Sequence, residues 1–301
     1  DFDLMLFDKV IVFDNLKQQI YLIVNVRLDS VEENYNRALL EMKRMESLIC
    51  EGKKAPDVPL QLKSDFKPLF NEEEYCQMVE KGKNYIREGD IFQVVLANRL
   101  SAEAEGSLLD TYRVLRTINP SPYMFFFSGD DIELAGSSPE TLTRLENGDL
   151  FTFPLAGSRP RGKTPEEDQA LEDELLHNTK ELAEHNMLVD LGRNDLGRIS
   201  EFGSVHVERY LDVLRFSHIM HIGSTVHSTI RKDKTAVDAI ASVLPAGIGI
   251  RLAYKKGNHV YACSGAGIVA DSIPEQEHQE CLNKAKAVVI ALQQANGGID
   301  K

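Results

Sequence analysis

An Asn147-Gly148 dipeptide sits between two runs of strand-forming residues, TLTRLE and DLFTF, and constrains the fold more than any other feature of the chain. Asparagine and glycine tolerate the positive φ angles of a type I′ turn, so the flanking runs are expected to fold back as an antiparallel hairpin. Further strand-like stretches are Val10 to Phe13, Gln19 to Val26, IFQVVLANRL, PYMFFF, IELAG, Ser204 to Val207, Ile219 to Thr229, Ile248 to Tyr254 and HVYACSGAGIVA. Helical segments lie between them. Capping boxes at Ser30 with Glu33 and at Asn71 with Glu74 open two helices, the first carrying a stripe of Tyr35, Leu39, Met42, Met45 and Ile49 expected to be buried. Another runs from Leu108 to Ile118 and stops at Asn119-Pro120, and one long helix is expected from Thr164-Pro165 to about Asp190. Thr235 to Leu244 and Pro274 to Gln294 complete the set. Strand runs joined by hairpins and interspersed with long helices give an α+β chain with large, mostly antiparallel sheets.

With 301 residues and 43% hydrophobic content, the chain can bury one large core, or one core with a smaller companion domain. Gly52 to Pro68 lacks either period and holds three prolines, so it is expected to link residues 1–68, a partial N-terminal region, to a main domain at residues 69–301. The net charge of -13, with no basic patch, argues against nucleic-acid partners and anionic membranes. No stretch has the length of a transmembrane helix and no signal peptide opens the chain. The first residue is Asp, so processing or truncation before it is expected. Cys50, Cys76, Cys263 and Cys281 lack metal or disulfide spacing and are expected to be buried thiols. A reducing compartment is therefore expected, the cytoplasm, or a plastid if a transit peptide has been removed.

Glu277, Glu280 and Lys284 share one surface of the last helix, and Glu277 continues the apolar stripe of Cys281, Ala285, Val288 and Leu292, putting a carboxylate where a core residue is expected. Glu181 and Glu184 repeat the i,i+3 spacing on the central helix. Either pair alone is an ordinary solvated helix face; together they could converge on a hard cation, which takes one or two carboxylates and fills its other positions with water and substrate oxygens. Gly265 and Gly267 interrupt an apolar strand, which permits close backbone approach to an anion or simple packing. Glu140, in GSSPETL, is either a proton donor or a loop carboxylate in water. His218 and His221 lie three apart, so on a strand they point to opposite faces and do not serve one site. Gln93 is expected on a strand with Val95, Ala97 and Arg99, and Arg251 is one charge amid apolar residues, an edge residue or an anion clamp.

Taken in order, IFQVVLANRL, GSSPETL, PLAGSRPRG, ELAEHNMLVDLGRNDLG, RFSHIMHI, IRLAY and GAGIVADSIPEQEHQECLNKA cover most of residues 71 to 296. In that order they resemble the chorismate-utilising enzymes, and among these the anthranilate synthase component I subunits. The resemblance implies a sandwich of large antiparallel sheets flanked by helices. It implies Mg²⁺ held by Glu184 and Glu280, with Glu181 and Glu277 in support through water. Arg251, Lys284 and the backbone at Gly136, Ala266 and Gly267 would bind the substrate's carboxylates, Glu140 would protonate the departing hydroxyl, and His221 would assist loss of pyruvate. Gln93 stands where isochorismate and salicylate synthases have a lysine base, and Ala156 where aminodeoxychorismate synthases typically have a lysine. With both lysines absent, the resemblance implies addition of ammonia to chorismate, giving anthranilate, with the ammonia supplied by a glutamine amidotransferase subunit. The alternatives are an aminodeoxychorismate synthase subunit and a non-catalytic relative. Asn119, Pro120, Ser121, Pro122, Tyr123 and Met124 resemble the segment that binds tryptophan as feedback inhibitor. LPAG at Leu244 to Gly247 runs directly into IGIRLAY, where relatives carry a further loop, helix and Gly-rich strand; those residues are expected to be unseen in this numbering and not deleted.

Overall fold

The computed structural model describes residues 5–54, 56, 58–216, 219–244 and 251–299. They fall into two compact units, Asp1–Asp57 and Val58–Lys301. In the first, β1 (Lys9–Asp14) and β2 (Gln19–Val24) form an antiparallel hairpin, followed by α1 (Val31–Glu51). Two expectations fail here. Ser30 precedes α1 but makes no capping bond, because its backbone departs from the extended conformation that would aim the hydroxyl at the helix N–H groups. Only Ala38 and Met45 of α1 are buried, whereas Tyr35, Leu39 and Ile49 are exposed.

The second unit begins inside the expected linker. β3 (Gln61–Leu62) and β4 (Lys67–Pro68) both pair with β5, so the unit boundary falls after Asp57 and not after residue 68. α2 (Glu72–Arg87) opens on the Asn71 and Glu74 capping box as expected. β5 (Val94–Glu105), α3 (Leu109–Ile118), β6 (Tyr123–Ser128) and β7 (Ile132–Ser138) follow. β8 (Arg144–Glu146) and β9 (Asp149–Thr152) form the expected hairpin, with Asn147 and Gly148 at φ 52° and 94°. Next come β10 (Leu155–Pro160), α4 (Pro165–His177), α5 (Thr179–Gly197), β11 (His206–Arg215), β12 (Ile219–Thr229) and α6 (Ala236–Ser242). β13 (Leu252–Lys256), β14 (His259–Ile268) and α7 (Pro274–Gln294) close the chain.

All pairings between the named strands are antiparallel. One sheet has the order β3-β5-β14-β13-β7-β6, with β4 also on β5; the other has β10-β12-β9-β8, with β11 along the opposite edge of β12. Alternation along each strand decides what each face meets. Val288 and Leu292 of α7 pack on Ala102, Ala104, Ala253 and Ala262, whose small side chains let the helix sit close to the first sheet. Burying each of these two side chains contributes about 1.5–3 kcal/mol. Tyr75 and Val79 of α2 and Cys281 of α7 cover Ala266 and Ile268. On the second sheet, Met220 and Ile222 lie under Leu175 of α4, while Val189 and Leu196 of α5 cover Leu150 and Val226. The residues between these, among them Gly267 and His221, therefore face the other way, and the two sheets turn these faces toward one cavity.

The expected single helix from Thr164 to Asp190 is two. Asn178 ends α4 and caps α5, its Oδ1 accepting from Glu181 N at 3.2 Å. Asn178→Ala is expected to cost about 1 kcal/mol, measured as a fall of a few degrees in the thermal midpoint. The thiols also differ from expectation: Cys281 is buried, Cys76 and Cys263 are half-buried, and Cys50 is exposed. Among the described residues no helix is long and apolar enough to cross a membrane.

Candidate active site

A cavity of about 680 Å³ collects residues that are far apart in the chain: Glu140, Glu181, Glu184, His221, Arg251, Gly267, Glu277, Glu280 and Lys284. The walls come from the ends of β7, β10, β12 and β14 and from two helices, α5 and α7, whose register is fixed by buried hydrogen bonds. On α5, His185 is fully buried and its Nε2 meets Ser224 Oγ of β12 at 2.7 Å, which turns the preceding residue, Glu184, toward the cavity. On α7, Cys281 is held by Ser264 of β14, whose hydroxyl donates to the Cys281 carbonyl at 2.5 Å. One turn earlier Glu277 is buried, only 4% exposed, in line with Cys281, Ala285, Val288 and Leu292 as the stripe predicts.

Three of the four glutamates have a cation of their own. Glu277 lies 3.7 Å from Lys180, Glu280 lies 2.6 Å from Lys284, and Glu181 accepts from Arg159 at 3.3 Å. Among the described residues Glu184 is hydrogen-bonded only by the neutral Gln93 amide, which donates to its Oε1 at 3.1 Å. Burial, and then the negative charge of Glu181, raise the Glu184 pKa, against which the Gln93 bond and Lys180 act only in part. Gln93 itself precedes β5; the apolar run is not all strand, for Phe92 beside it is exposed. Its amide lies against Gly267, where an added Cβ would come within 2.6 Å of Nε2. A side chain at 267 would displace the Gln93 amide from this position.

His221 depends on a bulge. Between Ala156 and Ser158 the register of β10 on β12 shifts, with Gly157 at φ 66°, and the Gly157 carbonyl meets His221 Nδ1 at 3.0 Å. A carbonyl can only accept, so the hydrogen is assigned to Nδ1, which Ser158 Oγ also approaches at 2.9 Å; Nε2 then carries the lone pair. Burial lowers the imidazole pKa, the Gly157 bond raises it, and Arg251 and Lys284 lower it further, a balance that favours the neutral ring. Glu140 is open to solvent at the cavity mouth, yet the protein crowded about it raises its pKa by desolvation, with Lys284 pulling the other way.

Not every expected residue reaches the cavity. Gly136 is buried within β7, where the Phe125 ring fills the space a Cβ would need, and the Ala266 side chain belongs to the core under α2. Of the segment 119–124, Asn119, Pro120, Ser121 and Pro122 line a small adjoining pocket shared with His221 and Arg251, and Arg251 Nη1 lies 3.5 Å from Ser121 Oγ. Tyr123 instead bonds Thr141, and Met124 packs against α3 and α7. His218 and the junction at residues 245–250 lie outside the described residues. Sequence patterns missed Arg159 and Lys180; Lys180 directly precedes Glu181 in the chain, whereas Arg159 meets Glu181 only through the fold. Ala156, without a polar group, also lines the cavity.

Among the described residues no three His, Cys, Asp or Glu side chains converge as a ready-made metal centre. The donor set nevertheless fits a hard cation that takes one or two carboxylates and keeps water and substrate oxygens elsewhere: it is all oxygen, and Glu184 lacks a cationic partner among the ion pairs of the described residues.

A family model described as chorismate binding enzyme matches residues 1–248 and 246–289, dividing where LPAG runs into IGIRLAY. Anthranilate synthase component 1 of Acetivibrio thermocellus is 42% identical over 340 residues, covering 97% of this chain and 69% of its own. That of Acinetobacter calcoaceticus is 40% identical, covering 99% and 69%. Anthranilate synthase component I from Streptococcus pneumoniae superposes with a TM-score of 0.78 at 35% identity, covering 94% of this chain and 72% of that one. The menaquinone-specific isochorismate synthase from Escherichia coli shares the fold, with a TM-score of 0.75 at 22% identity over 92% of this chain and 73% of its own.

Proposed function

The chain belongs to the chorismate binding enzymes, and from that premise we propose that it converts chorismate and ammonia to anthranilate and pyruvate, with Mg²⁺ as cofactor, in tryptophan biosynthesis. The observation that carries this reading is the single cavity in which oxygen ligands, four cationic side chains, an acid of raised pKa and a histidine of lowered pKa meet, with the Ala156 methyl in its wall and the Gln93 amide behind it on Glu184. A lysine at either position would provide a base or nucleophile within the cavity; Gln93 and Ala156 provide neither, which leaves C2 open to ammonia.

Glu184 and Glu280 would hold the metal, with Glu181 and Glu277 in support through water. When bound, Mg²⁺ supplies positive charge that offsets a substrate carboxylate among the glutamates. Arg251 and Lys284 take the remaining anionic oxygens, and the missing side chain of Gly267 lets the backbone approach them. Ammonia forms the C2–N bond and sheds a proton to solvent, both ring double bonds move one position toward C4, and the C4–O bond breaks as Glu140 gives its proton to the departing hydroxyl, which leaves as water. His221 Nε2 then takes the C2 proton while the ether C–O bond breaks, and the enolpyruvyl group leaves as pyruvate once protonated. A glutamine amidotransferase partner would supply the ammonia and tryptophan would act as feedback inhibitor; Asn119 to Pro122 adjoin His221 and Arg251, which supports a route from that segment to the cavity.

The direct test supplies chorismate and ammonium with and without Mg²⁺. Fluorescent anthranilate in the presence of Mg²⁺ alone is expected. A non-aromatic amino product would mean an aminodeoxychorismate synthase, and chorismate binding without turnover would mean a non-catalytic relative, the reading favoured by the divided family match at residues 246–248.

A further inference from the structure

Arg159 lines the cavity, and each of its three side-chain nitrogens donates to a protein oxygen. Its Nε and Nη2 bind Glu174, the latter at 2.9 Å, while Nη1 donates to Glu181 at 3.3 Å and to the Ser158 carbonyl at 2.8 Å. Glu174 lies on α4, outside the cavity, and is half exposed; Arg159 and Glu181 are each 20% exposed. The ring is closed by Asn178, whose amide donates to Glu174 Oε1 at 3.2 Å and whose Oδ1 accepts from Glu181 N. One guanidinium charge is thus divided between a carboxylate inside the cavity and one outside it.

We propose that Glu174 and Arg159 form a positioning pair that sets the cation affinity of the cavity: Glu174 draws the guanidinium charge away from Glu181, leaving Glu181 and Glu184 negative enough to attract a divalent ion. This rests on the reading of the cavity as a divalent-cation site. Removing the outer carboxylate leaves the whole positive charge on Glu181 and weakens cation binding. Removing the guanidinium does the reverse, strengthening binding while Glu181 loses the partner that orients it. A purely structural clasp would give the same direction for both.

The experiment measures Mn²⁺ binding to the full chain by electron paramagnetic resonance, Mn²⁺ sharing the preference of Mg²⁺ for oxygen ligands. Glu174→Gln is expected to weaken binding about three- to tenfold and Arg159→Gln to tighten it by a similar factor, as expected for a unit charge a few ångströms away in a partly solvated site. The double variant should bind as Arg159→Gln does, because Glu174 acts only through Arg159. Glu174→Gln, a solvent-side change, keeps the test open should Arg159→Gln fail to fold. Affinity within twofold of the native chain in Glu174→Gln, or equal and additive losses in both variants, would overturn the proposal. Glu184→Gln separates the two claims. If it abolishes Mn²⁺ binding while Glu174→Gln is silent, the cation site stands and the positioning pair falls; if the native chain binds no Mn²⁺, both fall.

Discussion

Replacing Glu184 with glutamine is expected to lower kcat/KM for chorismate by about a thousandfold or more, a loss of about 4 kcal/mol in transition-state stabilisation. The size follows from what surrounds it. Glu181, Glu277 and Glu280 each already face a basic side chain, whereas Glu184 forms no ion pair among the described residues and burial, with Glu181 beside it, raises its pKa. A cation is the group that would relieve it. Glutamine keeps the volume and one oxygen but removes the charge, so the fold should persist with an unchanged thermal midpoint. Steady-state kinetics over a Mg²⁺ titration check this: activity recovered by tenfold higher Mg²⁺ would point to a weaker role, and unchanged activity would defeat the metal assignment.

Glu140→Gln is expected to cut kcat by roughly a hundred- to ten-thousandfold, the contribution of a placed general acid. The pH profile gives the sharper result. Glu140 must hold its proton to give it up, so activity falls as pH rises through its raised pKa; His221 must be free of one, so activity falls as pH drops through its lowered pKa. Lys284 lowers the Glu140 pKa, hence Lys284→Met should move the alkaline limb to higher pH while raising KM for chorismate. If Glu140→Gln retains the native alkaline limb, the acid is another group.

Features decided within a few residues were legible in the sequence. The Asn147-Gly148 turn needs only two residues able to hold positive φ, and the Asn71 box needs only a side chain and a backbone three positions apart. Glu277 could be placed because it interrupts an apolar stripe. The break at Asn178 was hidden by helical periodicity on both sides, although Asn178 with Glu181 repeats the spacing that opened α2. The Ser30 box failed for the opposite reason: the pattern was present and the backbone did not adopt the conformation it requires. Convergence of Glu140, Glu184, Glu280 and His221 could not be read from spacing at all, because it depends on the Gly157 bulge and on buried pins such as His185 to Ser224. Gly136 shows the limit of residue type as a signal, since the same absent side chain that leaves room for the Gln93 amide at Gly267 admits the Phe125 ring there.

If Glu280 holds the cation and Lys284 a substrate carboxylate, the ion pair between them at 2.6 Å has each group standing where the other's eventual partner would sit. A divalent ion engaging Glu280 would release the ammonium for an incoming carboxylate, and a carboxylate arriving first would release Glu280 for the ion. Metal and substrate should therefore each tighten the other's binding by the same factor, as reciprocity demands.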